Sequence, residues 1–181
     1  MRQSTRSINR KNNTSLCGAV WRCHLGKLMQ KYLNETGVAK IDETDDEGKT
    51  PLYMAVTNGN LGMVKAILRL FRNHKKTSGA GTSLTKKEES GGGTPLHRAM
   101  ELNDEAMKKV MLLHLEQTED SAALEIPDGQ GVAPLHYLAA FASEAHMELM
   151  LKLLEKTSDE ALVMRDARVD TPLHWMARQN K

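Results

Sequence analysis

The sequence is poor in cysteine. Its 181 residues include only two, Cys17 and Cys23. They lie six positions apart in a segment expected to be helical, on different faces of the helix, so they cannot easily form a disulfide. This cysteine usage favours a reduced, intracellular setting.

Long apolar runs and a strong net charge are also missing. No stretch approaches the ~20 apolar residues of a membrane-spanning helix, and the N-terminal region lacks the apolar core of a secretory signal. With 25 basic and 23 acidic residues, the net charge is only +2, which gives no general electrostatic footprint for nucleic acid. We therefore expect a soluble chain without a membrane span and without a nucleic-acid partner.

The charges are nevertheless unevenly placed. Residues 1–31 contain no acid, whereas acids predominate over residues 35–47. We interpret residues 1–13 as a basic disordered tail. Acid-poor starts that contain arginine and serine are also typical of organelle transit peptides, and that alternative stays open.

One motif recurs along the rest of the chain. It reads Thr-Pro-Leu-Tyr at 50–53, Thr-Pro-Leu-His at 94–97, Ala-Pro-Leu-His at 133–136 and Thr-Pro-Leu-His at 171–174. The prolines of successive motifs are 38 to 44 residues apart, a period in the range of helical solenoids. Internal repetition is therefore the main organising feature of the chain.

The pattern Thr-Pro-Leu-His-x-Ala resembles the ankyrin repeat, and the resemblance covers the chain from about Thr14 onward. It implies an all-α fold, a solenoid of stacked helix-turn-helix units with turn fingers between them. The first unit is the most divergent, with Ser15 in place of the proline, as expected of a capping repeat. We expect one ankyrin repeat domain over 14–181, with units at about 14–44, 45–72, 89–120, 128–160 and 166–181.

The residues around the motif predict how a unit is built. In the second unit, Gly48 permits the turn, Thr50 caps a helix and Pro51 occupies its first position. Asn58-Gly59 then ends this helix through a left-handed cap. A second helix with an apolar stripe follows, and the third and fourth units are expected to repeat this order.

Two departures from the repeat are expected. The insert at 73–90 has Leu84 as its only large apolar residue, which favours a mobile surface loop. The fifth unit stops after its first helix, so one side of Leu173, Trp175 and Met176 should be left uncovered. Such an end fits an abrupt cap or the front part of a longer array.

Histidines are the obvious candidates for chemistry, because His97, His136 and His174 occupy equivalent positions. Neighbouring helices pack about 10 Å apart, whereas zinc lies ~2 Å from each ligand, so a metal site is disfavoured. The resemblance instead implies that these rings bond to the backbone of turns and neighbouring repeats. Phosphate-loop, zinc-protease and serine-hydrolase motifs are missing. We expect no enzyme activity, no cofactor and no metal.

The resemblance places partner binding on a concave face made by the turn fingers and first helices, at positions outside the signature. This face combines an acidic finger, central apolar residues and distal arginines, which suits a protein partner. Packing of Leu102 and Phe141 between repeats is the alternative, and the pattern does not separate the two. The candidate residues are Asp46, Glu47, Lys49, Thr57, Asn58, Ser90, Gly91, Glu101, Leu102, Gln130, Val132, Ala140, Phe141, Arg168, Asp170, Arg178 and Gln179.

These features predict a non-enzymatic scaffold or adaptor that binds another protein, with a small-molecule ligand not expected. Two other contexts fit the resemblance. Residues 48–56 look like plant ankyrin proteins with C-terminal membrane spans, of which this chain would be a soluble fragment. Ankyrin modules are also delivered by intracellular bacteria into host cells. The expected location is the cytoplasm, with the nucleus, a host cytosol or an organelle as alternatives.

Overall fold

The computed structural model describes residues 43–75, 84–102, 104–119, 121–140 and 144–179. Regular structure within these ranges is helical, which confirms the all-α prediction. The basic tail and nearly all of the first unit lie outside the described residues. The helices are α1 Pro51–Thr57, α2 Leu61–Lys75, α3 Pro95–Glu101, α4 Glu105–Thr118, a 3-10 helix Ser121–Leu124, α5 Pro134–Ala140, α6 Glu144–Leu154, α7 Asp159–Leu162 and α8 Pro172–Gln179.

The helices form two layers along the repeat. The first helices of successive units pack side by side, α1 on α3, α3 on α5 and α5 on α8. In the second layer α2 contacts α4, and α4 contacts α6. Leu52, Leu96 and Leu135 of the motifs are at most 1% exposed, and they share one apolar core with Met111 and Leu153 of the second layer. The motif leucines therefore join the two layers.

The first helices begin as the motif predicts. Thr50 is an extended N-cap whose hydroxyl accepts a hydrogen bond from the N–H of Tyr53 at 3.1 Å. Thr94 caps α3 in the same way, and its own N–H donates to the ring Nδ1 of His97 at 3.0 Å. The following proline takes the first helical position, where a missing N–H needs no partner.

The end of α1 also follows the prediction. Gly59 has φ +64°, and its N–H donates to the Val56 carbonyl at 2.9 Å. The N–H of Asn60 donates to the Ala55 carbonyl at 2.9 Å, which completes a Schellman cap. The Asn60 side chain then accepts from the N–H of Met63 at 3.1 Å in the first turn of α2. A few residues thus end one helix and start the next.

The insert between the second and third units is packed at both of its described ends, so the prediction of a surface loop over 73–90 is wrong there. Helix α2 continues to Lys75. Leu84 is fully buried in the common core, and Glu88 is only 7% exposed. The insert has too few apolar residues to form a core of its own, but Leu84 packs into the core that the repeat units supply.

The fifth unit leaves part of its apolar surface open, as expected. Leu173 is 64% exposed, while Trp175 and Met176 are half-buried. The short helix α7 precedes this unit and was not predicted. Its N-cap is Ser158, whose hydroxyl accepts from the N–H of Ala161 at 3.2 Å.

Burial of Leu84 gives a direct test of the insert's role in stability. Leu84→Ala should lower the free energy of unfolding by about 2–5 kcal/mol, because it removes a fully buried side chain and leaves a cavity. Urea unfolding followed by circular dichroism measures the change. As a matched control, Leu151 is 53% exposed, and Leu151→Ala should change stability by less than about 0.5 kcal/mol. Equal midpoints for both variants would contradict the burial of Leu84.

Candidate functional site

The turn fingers, which precede each first helix, are held by carboxylates. Asp45 Oδ1 accepts hydrogen bonds from the N–H groups of Glu47 and Lys49 at 3.0 and 2.9 Å. Asp128 and Asp166 repeat this arrangement with the residues two and four positions later, at 2.8 to 2.9 Å. Because the carboxylate satisfies turn N–H groups that the backbone leaves unpaired, it sets the shape of the finger.

The finger of the third unit is one residue longer and uses a longer acid. The N–H of Gly92 donates to the carbonyl of Glu88 four positions earlier, rather than three. The Glu88 carboxylate accepts from the N–H groups of Ser90, at 2.9 Å, and Gly91. Burial acts to raise the pKa of Glu88, but hydrogen bonds from Ser90, Gly91 and Gly93 lower it overall. The carboxylate therefore remains an acceptor at neutral pH.

A single backbone hydrogen bond joins each finger to the next. This places the finger tips side by side, so candidate residues from separate units form one row. The three bonds run from the N–H of Glu89 to the carbonyl of Glu47 at 3.0 Å, from Gly129 to Gly91 at 2.9 Å and from Ala167 to Gln130 at 2.8 Å.

One finger position requires left-handed backbone in every described unit. Gly48, Gly92 and Gly131 have φ between +70° and +75°. The fifth unit has Val169 there, at φ +67°. A β-branched side chain in this region is strained, because its Cβ crowds the following carbonyl. The last finger is therefore less favourably built than the others.

His97 links the third unit to the fourth finger. Its Nδ1 accepts from the Thr94 N–H, which leaves Nε2 to donate to the Val132 carbonyl at 2.9 Å. Burial lowers the pKa of His97, although the bond to Val132 opposes this. The ring is thus neutral at neutral pH. Its predicted role in joining repeats is confirmed.

The other two motif histidines make part of the same arrangement. Nδ1 of His136 accepts from the Ala133 N–H at 3.1 Å, and Nδ1 of His174 accepts from the Thr171 N–H at 3.2 Å. His136 is fully buried, but its Nε2 has no hydrogen-bond partner among the described residues. Its ring instead meets Trp175 in an edge arrangement, with centroids 5.7 Å apart.

A groove of about 180 Å³ lies between the last two fingers and the helices α5 and α8. Four of the predicted residues, Gln130, Val132, Arg168 and Arg178, converge on it. The full lining is Gln130, Val132, Tyr137, Asp166, Ala167, Arg168, Trp175 and Arg178.

Two aromatic side chains form a wall of this groove. Tyr137 and Trp175 meet edge to face, with ring centroids 5.2 Å apart. The indole N–H of Trp175 donates to Asp166 Oδ2 at 3.0 Å, and the hydroxyl of Tyr137 donates to Glu101 Oε1 at 3.2 Å. Burial and the neighbouring Glu101 raise the pKa of Tyr137 to about 12. Both rings are therefore held in place with their polar atoms satisfied.

Three of the predicted contact residues, Val132, Ala140 and Asp170, are buried instead. Asp170 is 6% exposed and forms a two-pronged ion pair with Arg178, with 3.1 Å between Nη2 and Oδ1. Val132 is 7% exposed, and its carbonyl is bonded to His97. The side chains of Asp170 and Val132 thus help to build the finger and offer a partner little accessible surface. Arg168 is exposed at the finger tip, as predicted.

The remaining candidates divide by exposure. Leu102 is half-buried and packs against the core, which favours its alternative interpretation as a residue between repeats. Lys49 is half-buried and Ala140 is buried. Phe141 and the side chain of Gln179 lie outside the described residues. The exposed candidates are Asp46, Glu47, Thr57, Asn58, Ser90, Gly91, Glu101 and Gln130.

The sequence prediction missed Tyr137 and Trp175 as groove residues. Both follow the motif histidine directly, at the variable position of Thr-Pro-Leu-His-x-Ala. That position was the available signal, because it holds a different residue in each unit: Met54, Arg98, Tyr137 and Trp175. In the described part of the chain, no helix is long and apolar enough to span a bilayer.

The bond from His97 predicts a pH-dependent contribution to stability. His97→Gln should cost about 1–3 kcal/mol at neutral pH, because it disturbs buried hydrogen bonds to Val132 and Thr94. The pKa of His97 is lowered from its ordinary 6.5, so as the pH falls the unfolded chain takes up a proton before the folded one. The contribution of His97 to wild-type stability is thus lost as the pH falls below about 6.5, and the gap in stability between wild type and variant should narrow as the pH is lowered further.

Urea unfolding at a series of pH values measures this gap. His174→Gln makes the same chemical change at an exposed ring, so its difference from wild type should stay small throughout. A constant gap for His97→Gln across the series would contradict the neutral, buried state of the ring.

The strained position in the last finger predicts a stabilising substitution. Val169→Gly should raise the free energy of unfolding by about 1 kcal/mol, because it relieves the left-handed strain of a side-chain-bearing residue. Val163→Gly is the matched control, since Val163 is similarly exposed but has φ −104°. It should lower stability by up to about 1 kcal/mol through added chain entropy. Equal effects of the two changes would refute the strain.

A comparison with known families identifies the repeat. The family model described as ankyrin repeats (3 copies) matches residues 16–120, more than half of the chain. No curated protein matches the sequence. The match ends before the fourth unit, but α5 and α8 begin with the same Pro-Leu-His and continue the same layer. The chain belongs to the ankyrin repeat family.

Proposed function

We propose that this protein is a non-enzymatic adaptor that binds a partner protein along its row of fingers and first helices. Ankyrin repeats are in general protein–protein interaction modules. The proposal is carried by the groove between the fourth and fifth units, where the Tyr137–Trp175 wall meets the exposed Gln130 and Arg168. We place the main anchor of the partner there.

The composition of the groove suits an anchor point. Tryptophan, tyrosine and arginine are the residues that most often carry the binding energy of protein interfaces. Because Glu101 and Asp166 already hold the two rings, little side-chain freedom is lost when a partner binds. The groove is also smaller than typical small-molecule sites, which have volumes of roughly 300–1,000 Å³. It suits one side chain of a protein partner better than a whole ligand.

The rest of the finger row would supply area and orientation. A stable interface buries roughly 800 Å² on each partner, which a single groove of this size does not offer. The exposed side chains of Glu47 and Ser90 extend the row into the second and third units. The row begins with the exposed acids Asp46 and Glu47, of which Glu47 pairs with Lys49, and it ends with the basic Arg168. This gradient can orient a partner of complementary charge.

Site-directed cross-linking tests this proposal. A photo-reactive phenylalanine analogue at Gln130 in the full-length chain, in the cells that express it, should capture a discrete protein. Adding Arg168→Glu should reduce capture by about fivefold or more, because it reverses an exposed charge at the rim. Mass spectrometry identifies the captured protein, and quantitative blotting measures the yield.

Two controls make the result specific. Arg165→Glu reverses an exposed charge three residues away that does not line the groove, and it should leave capture unchanged. The same photo-reactive group at Lys156, at the end of α6, should not capture the protein. Capture at Lys156 as efficient as at Gln130, or equal loss with both arginine variants, would rule out the groove as the anchor.

A further inference from the structure

A second groove lies in the layer of second helices, away from the fingers. It runs between α2 and α4 and has a volume of about 300 Å³. Its lining includes none of the residues that were predicted as partner contacts or that belong to the finger row. It is lined by Lys65, Leu68, Arg69, Arg72, Val110, Leu113, His114 and Gln117.

One wall of this groove is basic. Lys65, Arg69 and Arg72 are exposed and lie at positions i, i+4 and i+7 of α2, so they share one face of the helix. Among the described residues, no carboxylate forms an ion pair with any of the three. Arg72 instead donates to Gln117 Oε1 at 2.9 Å, across the groove. The wall thus presents positive charge that the described fold does not neutralise.

Two cations in the neighbouring helices of this layer are paired. Lys108 contacts Glu105 at 3.2 Å, and Lys152 contacts Glu148 at 3.0 Å. Glu116 is the acid of α4 nearest in sequence to Gln117, and it lies 3.9 Å from Lys152, in the direction of α6. The acids of this layer therefore compensate cations elsewhere and leave the wall of α2 uncompensated.

The floor between the two helices is apolar. Leu68 is only 4% exposed, and Val110 is half-buried against the core. Leu113 is half-buried beside them. The opposite wall carries the uncharged Gln117, and the lining residues include no aspartate or glutamate. Positive charge on one side of an apolar floor is a pattern that a simple polyanion would only partly match.

We propose that this groove binds an acidic segment of a partner protein, in which carboxylates flank a large apolar side chain. The carboxylates would pair with Lys65 and Arg69, and the apolar side chain would cover Leu113. From Lys65 to Arg72 the helix rises about 10 Å, the length of roughly three residues of extended chain. A nucleic-acid backbone supplies the negative charge but no side chain for the floor, so the structure favours a peptide.

This inference is independent of the finger groove. The two sites lie in different helix layers and share no residue. One partner could wrap from one to the other, or two partners could bind together. Among the described residues, the cations of α2 form no ion pair with the fingers, so the surface is separately testable.

The probe is a fluorescein-labelled peptide, Glu-Glu-Leu-Glu-Asp-Phe-Glu-Glu, titrated with the full chain and followed by fluorescence anisotropy. Saturable binding is expected. The double variant Lys65→Ala/Arg69→Ala should weaken it by about tenfold, because two partly exposed ion pairs are lost. The control Lys152→Ala/Lys156→Ala removes the same charge from α6 and the turn that follows it, and it should change the affinity less than about twofold. Thermal melting checks that both exposed double variants remain folded.

Peptide variants distinguish the contribution of the apolar floor to binding from that of the charged wall. Replacing the leucine and phenylalanine of the peptide with serine should weaken binding by about tenfold if the apolar floor is used. Three results would overturn the proposal: no saturable binding, equal loss with both double variants, or equal affinity of the serine peptide. Displacement by a single-stranded RNA oligonucleotide at lower concentration than by unlabelled peptide would also overturn it and mark the groove as a general polyanion surface.

Discussion

The hydrogen bonds that one carboxylate accepts from the turn of each finger are the constraint on which the stack depends. Asp45, Asp128 and Asp166 each hold two N–H groups of their own finger, and Glu88 does so for the longer one. Because the turn has a fixed shape, the N–H of the residue directly after the carboxylate, Glu89, Gly129 or Ala167, is placed to donate to the preceding finger. The finger row, and with it the proposed partner surface, therefore follows from a local interaction made separately in every described unit.

Between units, the structure is held by nearest-neighbour contacts, as expected of a solenoid. Each finger bonds to its neighbour, and His97 adds a bond from the first helix of one unit to the finger of the next. At the last interface this pattern changes, because His136 meets the ring of Trp175 rather than a carbonyl. The same ring lines the groove. The junction at which the motif histidine makes no bond to the next finger is thus also the place where aromatic side chains line a groove.

The two helix layers offer different chemistry to other molecules. On the finger side, charges are mostly used within the fold, as in the Asp170–Arg178 pair, and rigid aromatic rings remain available. On the side of the second helices, the cations of α2 remain uncompensated beside an apolar floor. A protein with both surfaces can bind one partner by shape and another by charge, which is a useful property for an adaptor.

The sequence by itself determined the helix starts, the turn positions and the order of the layers, because these depend on contacts within a few residues. Thr50 and Pro51 begin α1, and Gly59 ends it, for reasons visible in the local pattern. The candidate site was predicted only in part. Gln130 and Arg168 are where the pattern placed them, but the roles of neighbouring side chains depended on which ones the stack buried.

Only the tertiary structure decided the contacts between distant residues. Leu84 is buried in a core to which its own segment contributes little. Val132 is also buried, and its carbonyl accepts a hydrogen bond from His97, 35 residues earlier. Tyr137 and Trp175 form one wall only because α5 packs on α8. Periodicity records which face of a helix is apolar, but it does not record which neighbour covers that face. The lining of the groove therefore differs from the predicted set of residues because neighbouring units bury some side chains and leave others exposed.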